Sequence, residues 1–208
     1  MLKDHWNEVY SSKPVEKLGW YEPIPTQSLK LIKKCDIKRD EAIIDVGCGV
    51  STLIHNLLSE GYRNIIATDI SDIAISKLKK RLGNEFSSKV KWIIDDLSEP
   101  KKLLNLRNIS LWHDRAVLHF LTDEEARKSY LEILTNAVKL SGYVIIAAFS
   151  LKGAKRCSGL DIKRYDERML SEFLGNKFTL IDSFDYTHRM PSGDLRPYIY
   201  TLFQKDKE

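Results

Sequence analysis

Short apolar runs that close on an acid recur through the first half of the chain. Ala42–Val46 carries Asp45 near its end, Asn64–Thr68 closes on Asp69, and Val90–Ile94 closes on Asp95-Asp96. Runs of this length between turn signals read as buried strands, not helices. Helical patterns lie between them. One runs from Thr52 to Ser59 with Gly61 in the C′ role. Another runs from Asp72, as its cap, to Leu82, with Gly83 just past its end. A weaker fourth strand is predicted over Ile109–Asp114. Thr122 then caps a helix over Asp123–Leu140, with Glu125 completing a capping box. Gly142 turns the chain into Tyr143–Phe149, almost wholly apolar, as a strand covered on both faces should be.

The last third changes character. Glu167–Leu174 predicts a short helix. Phe178–His188 and Tyr198–Phe203 have alternating stretches joined by the turn-forming Met190-Pro191-Ser192-Gly193-Asp194. The order predicts an α/β fold: a doubly wound sheet of about seven strands, mainly parallel, with one antiparallel strand from a C-terminal hairpin. Ahead of it, Trp6 and Tyr10 share a helix face, Trp20 and Tyr21 follow, Pro23 and Pro25 bracket a turn, and a short helix from Thr26 ends near Cys35. Residues 1–35 are expected to form an N-terminal lid that packs on the domain, closes over a substrate, or both. The expected organisation is a single domain over 1–208, with a core at 40–150 and a loop and hairpin at 151–208.

Composition narrows the partners. Hydrophobic residues make up 43% of the 208 and charged residues 30%, as in a globular protein. The net charge of +4 is spread along the chain, and Lys77-Leu78-Lys79-Lys80-Arg81 reads as a solvated helix face, not a nucleic-acid patch. Three widely spaced cysteines, Cys35, Cys48 and Cys157, argue against a disulfide framework or a zinc site, so no metal is expected. A reducing cytoplasm is the expected setting. The charged start Met1-Leu2-Lys3-Asp4-His5-Trp6 is unlike a signal peptide, and no apolar run approaches the ~20 residues of a membrane span. Neither a nucleic acid nor a membrane is expected as partner, and the oligomeric state is not legible.

The chemistry centres on Gly47-Cys48-Gly49, a tight turn between the first strand and the next helix, where backbone N–H groups are open to a ligand. Asp69, 20 residues beyond Gly49, is placed to accept the hydroxyls of a ribose. The third glycine of a dinucleotide site would fall at Thr52, and Asp45 ahead of the turn would repel a pyrophosphate. A carboxylate there suits a cationic ligand, an ammonium or a sulfonium.

Asp45-Val46-Gly47-Cys48-Gly49, Asp69, Asp96-Leu97 and a late hairpin together resemble a class I S-adenosylmethionine-dependent methyltransferase with a Rossmann-like sheet, over roughly residues 40 to 205. The resemblance implies S-adenosylmethionine as cofactor. Its methionine end would lie on Gly47, Cys48 and Gly49, its ribose on Asp69 with Ile70, and its adenine beside Asp96 and Leu97. Ser51, where the family often has glycine, leaves the turn intact and offers a hydroxyl to cap the next helix. Trp112 to Leu121 is similar to the family's fourth motif, under the transferred methyl. The Trp/Tyr-rich start is similar to the lid of small single-domain members, with Trp20 on the cofactor and Trp6, Tyr10 and Tyr21 on the acceptor.

Methyl transfer from a sulfonium is an in-line displacement, so the enzyme mainly aligns the acceptor and excludes water. His119 is the candidate base, or else a structural histidine. Arg115 pairs with the methionine carboxylate or with Asp114. Cys157, Arg164 and Tyr165 follow the fifth strand and are candidates for the acceptor site. Cys157 either packs or holds a soft acceptor, a thiol or a metalloid. Arg156, Arg164, Arg196 and His188 are candidates for an anion pocket. Asp114-Arg115-Ala116-Val117 stands where members that methylate nucleobase amines and glutamine carry Asn/Asp-Pro-Pro-aromatic, which argues against those acceptors. A small-molecule acceptor is expected. A protein lysine, a nucleotide-binding oxidoreductase and a non-enzymatic cofactor-binding module are the alternatives.

Overall fold

The computed structural model describes residues 2–207. In chain order its elements are α1 (Leu2–Ser12), α2 (Thr26–Ile32), β1 (Ala42–Val46), α3 (Leu53–Ser59), β2 (Ile65–Asp69), α4 (Asp72–Ser87), β3 (Val90–Ile94), β4 (Ile109–Arg115), α5 (Glu124–Ala137), β5 (Val138–Phe149), β6 (Arg156–Cys157), β7 (Leu160–Asp161), α6 (Glu167–Leu174), β8 (Phe178–Arg189) and β9 (Leu195–Lys205). Seven strands form one sheet in the order β3-β2-β1-β4-β5-β9-β8. Strands β1 to β5 pair in parallel, and β9 runs antiparallel to both β5 and β8. This is the Rossmann-like sheet expected, with the antiparallel strand where the hairpin was expected.

Side chains alternate across the strands, so neighbours such as Ile43 and Ile44 feed different cores. Ile43 joins Leu31, Ile32, Leu57 and Leu78 on one face. Ile44 joins Trp112, Tyr130 and Ile133 on the other. A third cluster of Trp6, Tyr10, Leu18, Val50 and Ala74 seats the N-terminal segment on the domain. Since β1 pairs with both β2 and β4, the direction of winding reverses between β1 and β4. A crevice opens there beyond the carboxyl ends of the strands.

Several boundaries differ from the sequence pattern for local reasons. Ser71, not Asp72, caps α4, its Oγ accepting from the Ala74 N–H at 3.0 Å. Gly83 does interrupt that helix (φ 72°, ψ 169°), but one further turn resumes and carries it to Ser87. Asp123, not Thr122, caps α5 by accepting from the Ala126 N–H, so there is no Thr122–Glu125 box. That helix stops at Ala137 and the chain passes straight into β5, with Gly142 inside the strand and Ser141 at φ 61°. The small β6–β7 hairpin carries no apolar run to announce it. Its turn is Ser158-Gly159, both at positive φ, the signature of a tight primed turn.

Candidate active site

The glycine turn is fixed by its conformation and by what crowds it. Gly47 (φ 57°) and Gly49 (φ 51°) both adopt the left-handed region. A Cβ on Gly47 would lie 2.1 Å from a Val117 methyl, and one on Gly49 would lie 2.4 Å from the Tyr10 hydroxyl. Asp69 braces the turn. Its Oδ2 accepts from the Gly49 N–H and its Oδ1 from the Ser71 N–H, each at 2.8 Å. Burial pushes the Asp69 carboxyl up to about 6, against those hydrogen bonds, and the neighbouring Asp45 charge adds to the rise. Thr52 is the N-cap residue of α3, and Ser51 just before it accepts from the Leu53 N–H at 3.0 Å.

Strand β4 supplies two anchors for the N-terminal segment. His113 and Arg115 are two residues apart on it, and so face the same side, while Asp114 faces the other. There Asp114 accepts from Tyr130 Oη at 2.7 Å and from the N–H groups of Val117 and Leu118, which shapes the chain after the strand. His113 pairs in register with Asp45, and the two side chains meet at 2.7 Å. Arg115 holds the segment around Trp20. Its Nη1 donates to the Trp20 carbonyl at 2.9 Å, its Nε donates to Tyr200 Oη at 3.1 Å, and its Nη2 ion-pairs with Glu22 at 3.1 Å. Glu22 is shared with His188 Nδ1 at 3.4 Å, and His188 Nε2 donates to the Gly19 carbonyl at 3.0 Å. His188 and Arg115 together hold the Glu22 carboxyl below its ordinary value, against its burial.

A cavity of about 800 Å³, counting the open solvent at its mouth, lies over the ends of β1, β2 and β4. Asp69, Asp95 and Asp96 line one part. Trp6, Tyr10, Trp20, Phe120, Tyr198 and Cys157 line another. Trp6 stands edge-on to Phe120 at 4.9 Å and to Trp20 at 5.8 Å between ring centres. A second cavity adjoins on the far side of Gly47 and Trp20, lined by Asp45, His113, Ser28, Cys48 and Ser51 among others.

A family model described as "Methyltransferase domain" matches residues 37–187. The chain belongs to this methyltransferase family. Over 157 residues it is 23% identical to mouse EEF1A lysine methyltransferase 2, covering 70% of this chain and 64% of that relative's length. Among solved structures, one concerning the conversion of a disulfide bond into a thioacetal group during echinomycin biosynthesis superposes with a TM-score of 0.74. It is 17% identical, over 98% of this chain and 93% of that one. The Burkholderia thailandensis 1,6-didemethyltoxoflavin-N1-methyltransferase, solved with its substrate and S-adenosylhomocysteine, superposes with a TM-score of 0.68 at 19% identity, over 99% of this chain and 84% of that one.

The methyltransferase's cofactor is S-adenosylmethionine, and the site's polar atoms fit it. Asp45 Oδ2 and Thr68 Oγ1 are buried without hydrogen-bond partners. Asp69 uses one lone pair on each oxygen for the backbone and keeps capacity for hydroxyl donors. Asp96 accepts from Ser98 through Oδ1 alone, and Leu97 lies beside it on the cavity wall. Of the residues singled out from the sequence, Trp6, Tyr10, Trp20, Gly47, Asp69, Ile70, Asp96, Leu97, Arg115 and Cys157 line the larger cavity. Tyr21, Asp45, Cys48 and Ser51 line the smaller, while Gly49 is covered by Tyr10.

Others lie elsewhere. His119 is fully buried against Phe120 and Phe149 and lines neither cavity. Its Nδ1 accepts from the Phe149 N–H, and burial with the Arg115 charge pushes it down to about 3, too weak a base for a proton transfer near neutrality. Tyr165 is a core residue, bridged to Ser150. Arg164 donates to the Leu151 and Gly153 carbonyls, outside both cavities. Arg115 pairs with Glu22 and not with Asp114. Among the described residues the four candidates do not gather into an anion pocket, since Arg156 turns to Asp161 and the Gly159 carbonyl, Arg164 to the Leu151 and Gly153 carbonyls, Arg196 to the Leu195 carbonyl and His188 to Glu22. Sequence reasoning missed Glu22, Ser28, His113 and Tyr198. Only the even spacing of His113 and Arg115 on one strand could have signalled them.

Proposed function

We propose that this methyltransferase modifies an uncharged small molecule, through a thiol or another soft or neutral nucleophile, in the aromatic chamber beneath α1. One observation carries the reading. Arg115 is the sole basic residue among the described residues lining the chamber; its Nη1 and Nε are bonded to Trp20 and Tyr200 and its charge is met by Glu22, while Nη2 makes no hydrogen bond of its own. The other charged lining residues, Asp69, Asp95 and Asp96, are acids, so a carboxylate or phosphate acceptor would be repelled. Aromatic rings offer dispersion and shape to a flat or apolar acceptor. Burial raises the Cys157 thiol above its ordinary value, so it lines the chamber as a neutral, polarisable group.

In this reading Gly47, Cys48, Gly49 and Asp45 hold the methionine end of the cofactor, Asp69 and Ile70 the ribose, and Asp96 with Leu97 the adenine. When bound, S-adenosylmethionine supplies the electrophilic methyl group. The chain's own part is to orient the acceptor between Trp6, Trp20, Phe120 and Tyr198 and to exclude water with α1. A thiol or N–H acceptor gives up its proton on methylation, and buried, weakly basic His119 is not the group that takes it, so the acceptor enters already ionised or releases the proton to water.

The relatives support two acceptor classes. The toxoflavin-pathway neighbour acts on a small molecule and the echinomycin one concerns sulfur chemistry, whereas the mouse relative is a lysine methyltransferase. A protein lysine is therefore the second reading, and an acidic, aromatic chamber also tolerates an alkylamine. A screen with labelled S-adenosylmethionine separates them. Label entering thiols or neutral heterocycles supports the proposal, and label entering only intact protein refutes it. Among the described residues no helix is long and apolar enough to cross a membrane. A reducing cytoplasm suits three free cysteines.

A further inference from the structure

Ser28, His113 and Asp45 form a buried row, of which the methyl-transfer reading uses Asp45 alone. Ser28 Oγ lies 2.9 Å from His113 Nε2, and His113 Nδ1 lies 2.7 Å from Asp45 Oδ1. With the ring N–H on Nδ1, both contacts are hydrogen bonds, Ser28 Oγ–H donating to Nε2 and Nδ1–H donating to Asp45. All three side chains are buried, Ser28 completely. That burial excludes Ser28 as a hydrolytic nucleophile, although the sequence of groups has that look.

The row ends on an unsatisfied atom. Asp45 Oδ2 is buried and has no partner, while Asp45 lines the smaller cavity beside Gly47 and Cys48. A buried carboxylate with one hydrogen bond lacks the partners that burial requires. Asp69 stands near enough for the Asp45 charge to oppose its ionisation. Two acids facing the glycine turn call for a cation there.

We propose that His113 is a positioning residue for cofactor binding. Seated by Ser28 of α2, it locks the Asp45 carboxylate so that Oδ2 is presented to the ammonium group at the methionine end of S-adenosylmethionine. The strand register supports this, since His113 and Asp45 are direct cross-strand partners and no loop intervenes. The row thereby makes docking of α2 part of the cofactor site. It rests on the cofactor's chemistry and not on the identity of the acceptor.

The test is calorimetric. S-adenosylhomocysteine carries the ammonium group, and 5′-methylthioadenosine lacks the whole amino-acid end. His113→Asn keeps an amide nitrogen near the position of Nδ1, whereas His113→Gln moves its amide toward Nε2. The Gln variant should weaken S-adenosylhomocysteine by about five- to tenfold, the loss of a charge-assisted contact, and leave 5′-methylthioadenosine within twofold. The Asn variant should restore most of the ratio between the two ligands. Ser28→Ala, a smaller excision, should shift the ratio in the same direction as Gln. Equal weakening of both ligands overturns the proposal, as does a folded Gln variant with the wild-type ratio. So does an Asn variant no better than Gln, or, should Gln fail to fold, a wild-type ratio in Ser28→Ala.

Discussion

Replacing Glu22 by Gln removes the one carboxylate that faces Arg115. The two side chains are 11% and 12% exposed, so solvent screens the pair little. Without it, the guanidinium faces only neutral partners: the Trp20 carbonyl, the Tyr200 hydroxyl and the Tyr198 ring, whose centre lies 5.6 Å away. Breaking a buried pair from one side costs about 3–5 kcal/mol, because a charge is left uncompensated. For a chain of 208 residues, 3 kcal/mol corresponds to a fall in Tm of about 6–12 °C. Removing both charges together avoids the orphan, so Glu22→Gln/Arg115→Met should be clearly less destabilised than the sum of its parts. Thermal melts of wild type, both single variants and the double variant form the cycle. Glu22 also bonds His188, and a His188→Gln background separates that contribution. If Glu22→Gln shifts stability by less than about 0.5 kcal/mol, or if the cycle is additive, the Glu22–Arg115 pair does not hold the N-terminal segment down.

Asp69→Ala should weaken S-adenosylhomocysteine binding by about 1–3 kcal/mol, the loss of charge-assisted hydrogen bonds; unchanged affinity by calorimetry removes Asp69 from the site. His119 protonates in the unfolded chain near 6.5 but in the folded chain only near 3. Its stabilising share is therefore complete above about 6.5 and lost as pH falls, by about 1.4 kcal/mol per pH unit. Denaturant melts between pH 4 and 7 should show a shallower acid slope in His119→Gln, and an unaltered slope would refute the assignment. Cys157→Ser should abolish turnover only for an acceptor bound through a soft atom, while Cys157 in the free protein should alkylate slowly near pH 8 because its thiol is raised. Trp20→Ala should lower turnover more than melting temperature; a variant that loses stability while its folded fraction keeps full activity makes Trp20 core.

The parts of this molecule that were legible are those governed by one element at a time. Short continuous apolar runs closing on acids gave β1, β2 and β3 their places, and the glycine turn followed from what joins a buried strand to a helix. Helix ends were less legible because caps compete locally. Ser71 and Asp123 win over their neighbours Asp72 and Thr122 by reaching an N–H three residues on, which composition alone does not rank. The pieces that tie the lid to the sheet were not legible at all. Ser28, Glu22 and Gly19 meet His113, Arg115 and His188 across 85, about 90 and 169 residues of chain, and no local pattern encodes such contacts. The placement of His119 shows the same limit. A histidine after a strand end looks like a base in sequence, yet the turn set by Asp114 carries it inward, where burial and the Arg115 charge remove its basicity. Arg115 likewise turned out to be a fastening for the N-terminal segment, held by Tyr200, Glu22 and Trp20 across 85 to 95 residues of chain. The contacts that close the cavity under the N-terminal segment are therefore long-range, laid over a glycine turn and strand ends that are encoded locally.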